Sequence, residues 1–487
     1  MLKLDFVYLY MEISTLQPQE VWENFAALNA IPRASKKEEK VIRFLKEFGE
    51  KLNLETSIDS VGNVVIKKPA TPGREDHKTV VLQSHIDMVH QKNADTDFDF
   101  DKDGIQMFVE EGWVKAKGTT LGADNGLGVA AIMAVLASKD LSHPEVEALF
   151  TVDEETGMTG ALGLDSNLLK GEILLNLDTE EDDEITIGCA GGVDVTASNQ
   201  YETFDVNEEG IEIVVKGLQG GHSGTDIEKG LANANVILSR ILSEGFDDNL
   251  RLVEIDAGGL RNAIPREAKA LIVIDNAEEF LRKAEAASED IKAEFAQLEK
   301  DLRIDLSSKK ITGKAISAED SKSLVQVIKG IPNGVFRMSP NVEGLVEASN
   351  NLARVSLTQG DLQILCLTRS SVESTKKELA EKIISIGELA NMTVTLSGDY
   401  PGWKPNPDSE VVVLLDTIYK DMFGESAHIS AVHAGLECGI IGGKFPGMEM
   451  ISFGPTIRGA HSPDERANIK SVQKFWKFFK EILKEIK

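Results

Sequence analysis

The stretch TVVLQSHID, residues 79–87, runs from apolar side chains into a histidine and an aspartate. A short run of Val and Leu bounded by polar residues predicts a strand covered on both faces, the kind found inside parallel sheets. Three further runs share this form: EALFTVDEE at 147–155, EILLNLDTE at 172–180 and MEMISFGPT at 448–456. Helical patterns lie between and around them. Pro18 to Leu54 carries apolar positions three and four apart, broken near Pro32, and predicts two amphipathic helices. NGLGVAAIMAVLASKD at 125–140 predicts a buried helix of small residues, and 409–424 and 470–487 predict two more. Strands alternating with helices point to an α/β fold built on a mostly parallel sheet.

The middle of the chain has a different order. Residues 193–397 offer strand, helix, a pair of strands, a charged helix from Glu278 to Lys300 and a strand, and then a second set of similar order ending in MTVTLSG. This predicts an α+β lid domain at 193–397, internally duplicated as two successive units. It would be inserted into a discontinuous catalytic domain formed by 1–192 with 398–487.

A length of 487 residues suits two domains. With 42% hydrophobic and 27% charged residues, and no apolar run near the length a bilayer needs, the composition is that of an ordinary globular protein and argues against a membrane span. A formal charge of −28 with no basic stripe argues against a nucleic-acid partner. Cys189, Cys366 and Cys438 are far apart and form no C-x-x-C pair, which fits a reducing compartment, the cytoplasm. The opening MLKLDFVYLYMEIS reads poorly as a signal peptide, and Met11 is an alternative start that would make residues 1–10 an upstream extension.

Ligands of open α/β sheets gather at the carboxyl ends of the strands. Here those ends carry His85 and Asp87, then Asp153, Glu154 and Glu155, then Asp178, while the last run leads through a glycine-rich loop to His461. Asp124 stands at the mouth of the small-residue helix. Taken singly, such a His is a loop residue, such an Asp is a helix cap and a Glu pair is solvated surface. Taken together they end strands that should be neighbours, and imidazole with carboxylate is the donor set of an open zinc-type site. Two His and three acids can serve two ions sharing a carboxylate, nearly neutralising them.

The blocks SHIDMV, TLGADNGLG, TVDEETGMTGA, LNLDTEE and GAHSPDE, with GGHSGTDI and RNAIPREA between them, resemble the M20 metallopeptidases in content and order. PNGV at 332–335, EGLVEASNNLA at 343–353, PGWKPNP at 401–407 and HAGLECG at 433–439 resemble the aminoacyl-histidine dipeptidase branch of that family. The likeness covers nearly all of the chain after Gln17. It implies a cytosolic dipeptidase hydrolysing Xaa-His and other small dipeptides with metal-activated water. It implies two divalent ions, zinc first with cobalt or manganese as alternatives, held by His85, Asp124 as the bridge, Glu155, Asp178 and His461. It further implies Glu154 as general base, Asp87 as the partner orienting His85, and a cis peptide between Asp124 and Asn125. His222 resembles the family's lid histidine, acting within the chain or across a homodimer. Asn262, Arg369, His433 and Glu437 are weaker candidates for substrate binding, Arg369 for a carboxylate and Glu437 for an ammonium. A monomer and a homodimer both fit.

A related deacylase or tripeptidase would use the same metal chemistry and differ in which substrate ends it recognises. A non-catalytic, metal-stabilised peptide-binding protein would need a degraded ligand set, and no expected position is missing. A metallophosphoesterase would be expected to carry a phosphate-cradling glycine loop before a helix, which is not found.

Overall fold

The computed structural model describes residues 13–487, so the opening segment and the alternative start at Met11 lie outside the described residues. The chain forms two compact units. The first comprises the described chain up to Gly188 together with Pro405–Ala431 and Glu437–Lys487. The second comprises Cys189–Lys404 and Val432–Leu436. Among the described residues, no helix is long and apolar enough to cross a membrane.

The first unit is built on an eight-stranded sheet. Its order is Glu55–Ile58, Val64–Lys68, Val146–Thr151, Val80–His85, Ile173–Asn176, Glu449–Ser452, Glu184–Cys189 and His428–Val432. All four expected runs form strands, and they are the central four, paired in parallel. The sheet is mixed, because Val64–Lys68 and Glu184–Cys189 join this centre antiparallel. Every residue of Val80–His85, Val146–Thr151 and Ile173–Asn176 is buried. Helices cover both faces of such strands, which is why they read as continuous apolar runs. Each large side chain buried here, such as Leu82 or Phe150, contributes about 1.5–3 kcal/mol.

Helix Ala123–Ala137 packs on Val80–His85 and on helix Gln19–Asn29. Its small residues permit the close approach: a Cβ at Gly128 would collide with Asn125 Oδ1, Ser84 Oγ and the carbonyl of Leu177. Trp476 and Phe479 of the last helix, Ile469–Glu485, meet edge-on, while Phe453 and Phe478 do the same against the sheet.

The second unit is built on a nine-stranded antiparallel sheet, whose main path runs Arg303–Ala315, Phe204–Lys216, Ala268–Val273, Arg251–Gly258, Val346–Thr358, Asp361–Ser370, Gly191–Gln200 and Thr393–Tyr400, with Gly334–Met338 pairing on Val346–Thr358 beside it. Numbered by chain order within each half, both halves read 4-1-3-2 from the outer edge inward. The second half is not a simple successor of the first, since its first strand, Gly191–Gln200, precedes the whole of the other half. The unit also reaches beyond 193–397. Gly192 pairs with Tyr400, Cys189 bridges to Trp403, and the amide of Ala190 donates to the carbonyls of Val432 and Ala434. These pairings recruit Val432–Leu436, whose membership no local pattern announces.

Candidate metal centre

Strand register brings the acidic and imidazole groups of the first unit together. His85 pairs with Thr151, so the chain leaving Thr151 carries Asp153, Glu154 and Glu155 past it. Gln83 pairs with Asn176, which sets Asp178 beside the same tip. Asp153 adopts a left-handed conformation, φ 52°, which aspartate tolerates better than most residues, and Thr159 Oγ1 donates to its carboxylate at 2.7 Å. That turn sends the next residues into the short helix Glu154–Gly157.

Asp124 does not cap its helix. Asp124 and Asn125 depart from helical geometry, and the peptide between them is cis. The Asn125 amide donates to the Leu177 carbonyl at 3.0 Å and to the Asp178 carboxylate. The Asp124 carboxylate faces the strand tips, and its two oxygens face different partners. Oδ1 lies 3.1 Å from His85 Nε2, which is itself 3.4 Å from Asp178 Oδ1. Oδ2 lies 3.1 Å from His461 Nε2, which is itself 3.0 Å from Glu155 Oε2. Two imidazole and carboxylate groupings thus share one aspartate.

Asp87 serves both sides of the strand tip. Its Oδ1 is 3.3 Å from His85 Nδ1, and its carboxylate accepts the amides of Glu154 and Glu155 at 3.0 and 3.3 Å. Glu154 is half-buried, and its carboxylate accepts no hydrogen bond from the described residues.

The metal-free site is electrostatically crowded. Burial disfavours the charged form of Asp124, yet hydrogen bonds with His461 and His85 hold its carboxyl far below the usual range. Hydrogen bonds with Asp124 and Glu155 push His461 up to about 11. Burial opposes protonation of His85, but Asp178, Asp124 and Asp87 raise its pKa well above the ordinary imidazole value. Burial raises Glu154 well above the carboxylate range despite His85, with Asp178, Glu437 and Glu155 adding to the rise. Burial likewise raises Glu155. A divalent cation held by these groups would balance their charge.

The donor set fits divalent ions. Atoms of His85, Asp124 and Glu155 lie within 4.8 Å of one another, and Glu155 Oε1 is buried with no partner. A tetrahedral shell with bonds of about 2.0–2.1 Å separates neighbouring ligand atoms by roughly 3.3 Å. The 3.0–3.4 Å contacts in each grouping match that edge.

Two buried charged groups beside the site, Glu465 and Arg33, are not among the residues singled out from the sequence. Glu465 accepts four backbone amides of Leu121–Asp124, and Arg33 donates to the carbonyls of Ile86, Asp87 and Gly122. The acidic residue in SPDE was a visible signal for Glu465, but its partners lie 341–344 positions away. Glu437 is fully buried in the first unit. Gln83 and Thr151 donate to its Oε2 at 2.7 and 2.6 Å, its Oε1 has no partner, and burial lifts it to about 7.

The other candidates lie in the second unit. The amides of Gly224 and Thr225 donate to His222 Nδ1 at 3.2 Å, so Nε2 carries the proton in the neutral ring. Burial and the nearby Arg369 charge lower the His222 pKa and bring His433 to about 3. His433 Nε2 lies 2.7 Å from Ser349 Oγ. Arg369 is buried and donates to Tyr400 at 2.9 Å, while the exposed Asn262 accepts the Ser223 amide through its carbonyl. His222, Arg369 and His433 form one neighbourhood.

The model of the peptidase family M20/M25/M40 matches residues 81–485, a span that contains every group in both ligand groupings. The chain belongs to this family. Among its relatives, the M20 chain is 42% identical over 480 residues to the cytosol non-specific dipeptidase of Escherichia coli, covering 98% of this chain and 99% of that one. A solved aminoacylhistidine dipeptidase from Vibrio alginolyticus is 42% identical, covers 98% of both chains and superposes with a TM-score of 0.91. An aminopeptidase structure from Bacillus cereus, 16% identical with a TM-score of 0.57 and covering 97% of this chain and 99% of that one, shares the fold. The M20 fold here is thus the mixed α/β form of a close solved relative.

Proposed function

We propose that this chain is a cytosolic dipeptidase working with two divalent ions, zinc first, held by His85 with Asp178 and by His461 with Glu155, and bridged by Asp124. The observation that carries this reading is the Asp124 carboxylate, whose separate oxygens face separate imidazole and carboxylate pairs. Bound ions would supply Lewis acidity, lowering the pKa of a water and polarising the scissile carbonyl. Glu154 supplies the proton transfers. Its carboxylate is uncommitted among the described residues, so it can take a proton from the attacking water and return it to the leaving amine. Asp87 holds the backbone of Glu154 and faces His85 Nδ1, so one carboxylate aligns base and ligand. In the second unit, His222 offers a fixed Nε2–H donor for a carbonyl oxygen. Arg369 offers a positive charge for a substrate carboxylate.

The test joins metal analysis of the purified protein to a hydrolysis panel of Xaa-His dipeptides, other dipeptides, tripeptides and acylated amino acids. Two ions per chain and hydrolysis confined to dipeptides are expected. Preference for tripeptides or acylated amino acids would move the reading to the related hydrolases, and no hydrolysis at full metal loading would sink it.

Metal uptake should release protons. A His pKa raised from 6.5 to about 11 stabilises the metal-free fold fully below pH 6.5, a contribution lost as pH rises toward 11. A ligand nitrogen must give up that proton, so metal affinity should increase with pH across this window. Calorimetry at pH 8 in buffers of differing ionisation enthalpy should show net proton release. Identical heats in all buffers would contradict the ligand role of His461.

A further inference from the structure

Of the segments that supply the strand-tip groupings, those carrying His85, Asp124 and His461 have their backbones tied together by two buried side chains. Glu465, 2% exposed, accepts the amides of Leu121 and Gly122 through Oε2 at 2.7 and 2.8 Å. Its Oε1 accepts those of Ala123 and Asp124 at 2.7 and 3.2 Å. His461 lies in the turn Gly459–Ser462, closed by the Ser462 amide donating to the carbonyl of Gly459 at 3.3 Å, and Glu465 closes the turn that follows, its own amide donating to the carbonyl of Ser462 at 3.0 Å. One carboxylate therefore couples the loop of the bridging Asp124 to the loop of His461.

Arg33, 1% exposed, does the corresponding work on the other side. Its Nη1 donates to the carbonyls of Ile86 and Asp87 at 3.1 Å, and its Nη2 donates to Gly122 at 2.5 Å and to Asn29 Oδ1 at 3.0 Å. The two charges meet across Gly122, whose amide goes to Glu465 and whose carbonyl goes to Arg33. Gly122 has φ +69°, and a Cβ there would strike Arg33 Nη2. Glycine is required on both counts.

We infer that Arg33 and Glu465 are positioning residues that set the spacing between the His85, Asp124 and His461 side chains, acting only through the backbone. Neither reaches a ligand atom. Burying a carboxylate and a guanidinium is costly, and an apolar pair could fill the same space. No apolar side chain could accept four adjacent amides or tie three carbonyls of two segments, and those groups would be left unsatisfied. The inference rests on the dinuclear reading above.

The experiment is a zinc titration of metal-free protein against a chromophoric chelator, for the wild type, Glu465→Gln and Arg33→Lys. The melting temperature and the visible absorption of the cobalt-loaded form are recorded alongside. In Glu465→Gln the side-chain amide turns a donor toward two backbone donors and should loosen the Asp124 loop. The expected result is a zinc affinity about 10–100-fold lower with altered cobalt bands, at a metal-free melting temperature within a few degrees of wild type. Arg33→Lys keeps the charge but lacks the planar fork, and should give a smaller loss in the same direction. Wild-type affinity and cobalt bands in folded Glu465→Gln would overturn the inference. If that variant does not fold, wild-type values in Arg33→Lys would overturn it instead. Fewer than two ions bound by the wild type would refute the dinuclear reading itself, a separate and recognisable outcome.

Discussion

Glu154→Gln is expected to bind two divalent ions with wild-type affinity, to melt at the wild-type temperature or slightly above it, and to lose about 10²–10⁴-fold in kcat. The expectation follows from what the side chain touches. Its backbone amide is fixed by Asp87, but its carboxylate is committed to no hydrogen bond among the described residues. Glutamine keeps the shape and the anchored amide while removing the site that accepts a proton. It also removes a carboxylate from a cluster whose neighbours, Asp178, Glu437 and Glu155, already disfavour its charge, so the fold has little to lose. Metal content by elemental analysis and single-turnover rates on a dipeptide separate the two effects. A variant that kept the wild-type rate would remove Glu154 as the base, while one that lost its metal would make it a ligand.

Asp124→Asn should have the other large effect, and a different one. The carboxylate presents one oxygen to each imidazole and carboxylate pair, whereas an amide presents one oxygen and an NH2 group. One grouping then meets a donor where it had an acceptor. The expected result is fewer than two ions per chain, hydrolysis at background, and a much smaller rise in melting temperature on adding zinc to the metal-free protein, since ligand-linked stability scales with the affinity lost. If this variant bound two ions as tightly as wild type, Asp124 would not be the bridge and the proposed centre would fail with it.

Much of the candidate centre is legible in the sequence. The central strands Val80–His85, Val146–Thr151 and Ile173–Asn176 are buried on both faces, so each is an apolar run, and a run with a defined end shows which residues stand at its tip. His85, Glu154, Glu155 and Asp178 could be placed from that alone, because strand register converts adjacency in the sheet into adjacency of tips. His461 followed from the fourth strand, although its loop is longer and its own conformation left-handed.

The candidates of the second unit were harder. His222, Arg369 and His433 were singled out one by one, and their common neighbourhood depends on strand pairings that no local pattern encodes. Glu437 shows the difficulty most sharply. Four positions from His433, it reads in the sequence as a partner in substrate binding, yet the two residues belong to different units and Glu437 is sealed against Gln83 and Thr151.

By itself, the sequence determined the kind of sheet centre and which side-chain types stand at its tips, because burial periodicity and side-chain type are local properties. Only the tertiary structure decided how the second unit nests its first strand around the other half, which residues return to it at Val432–Leu436, and which buried charges hold the ligand loops. Those features depend on hydrogen bonds between residues hundreds of positions apart. A glutamate that accepts four amides leaves the same trace in a sequence as one that faces water.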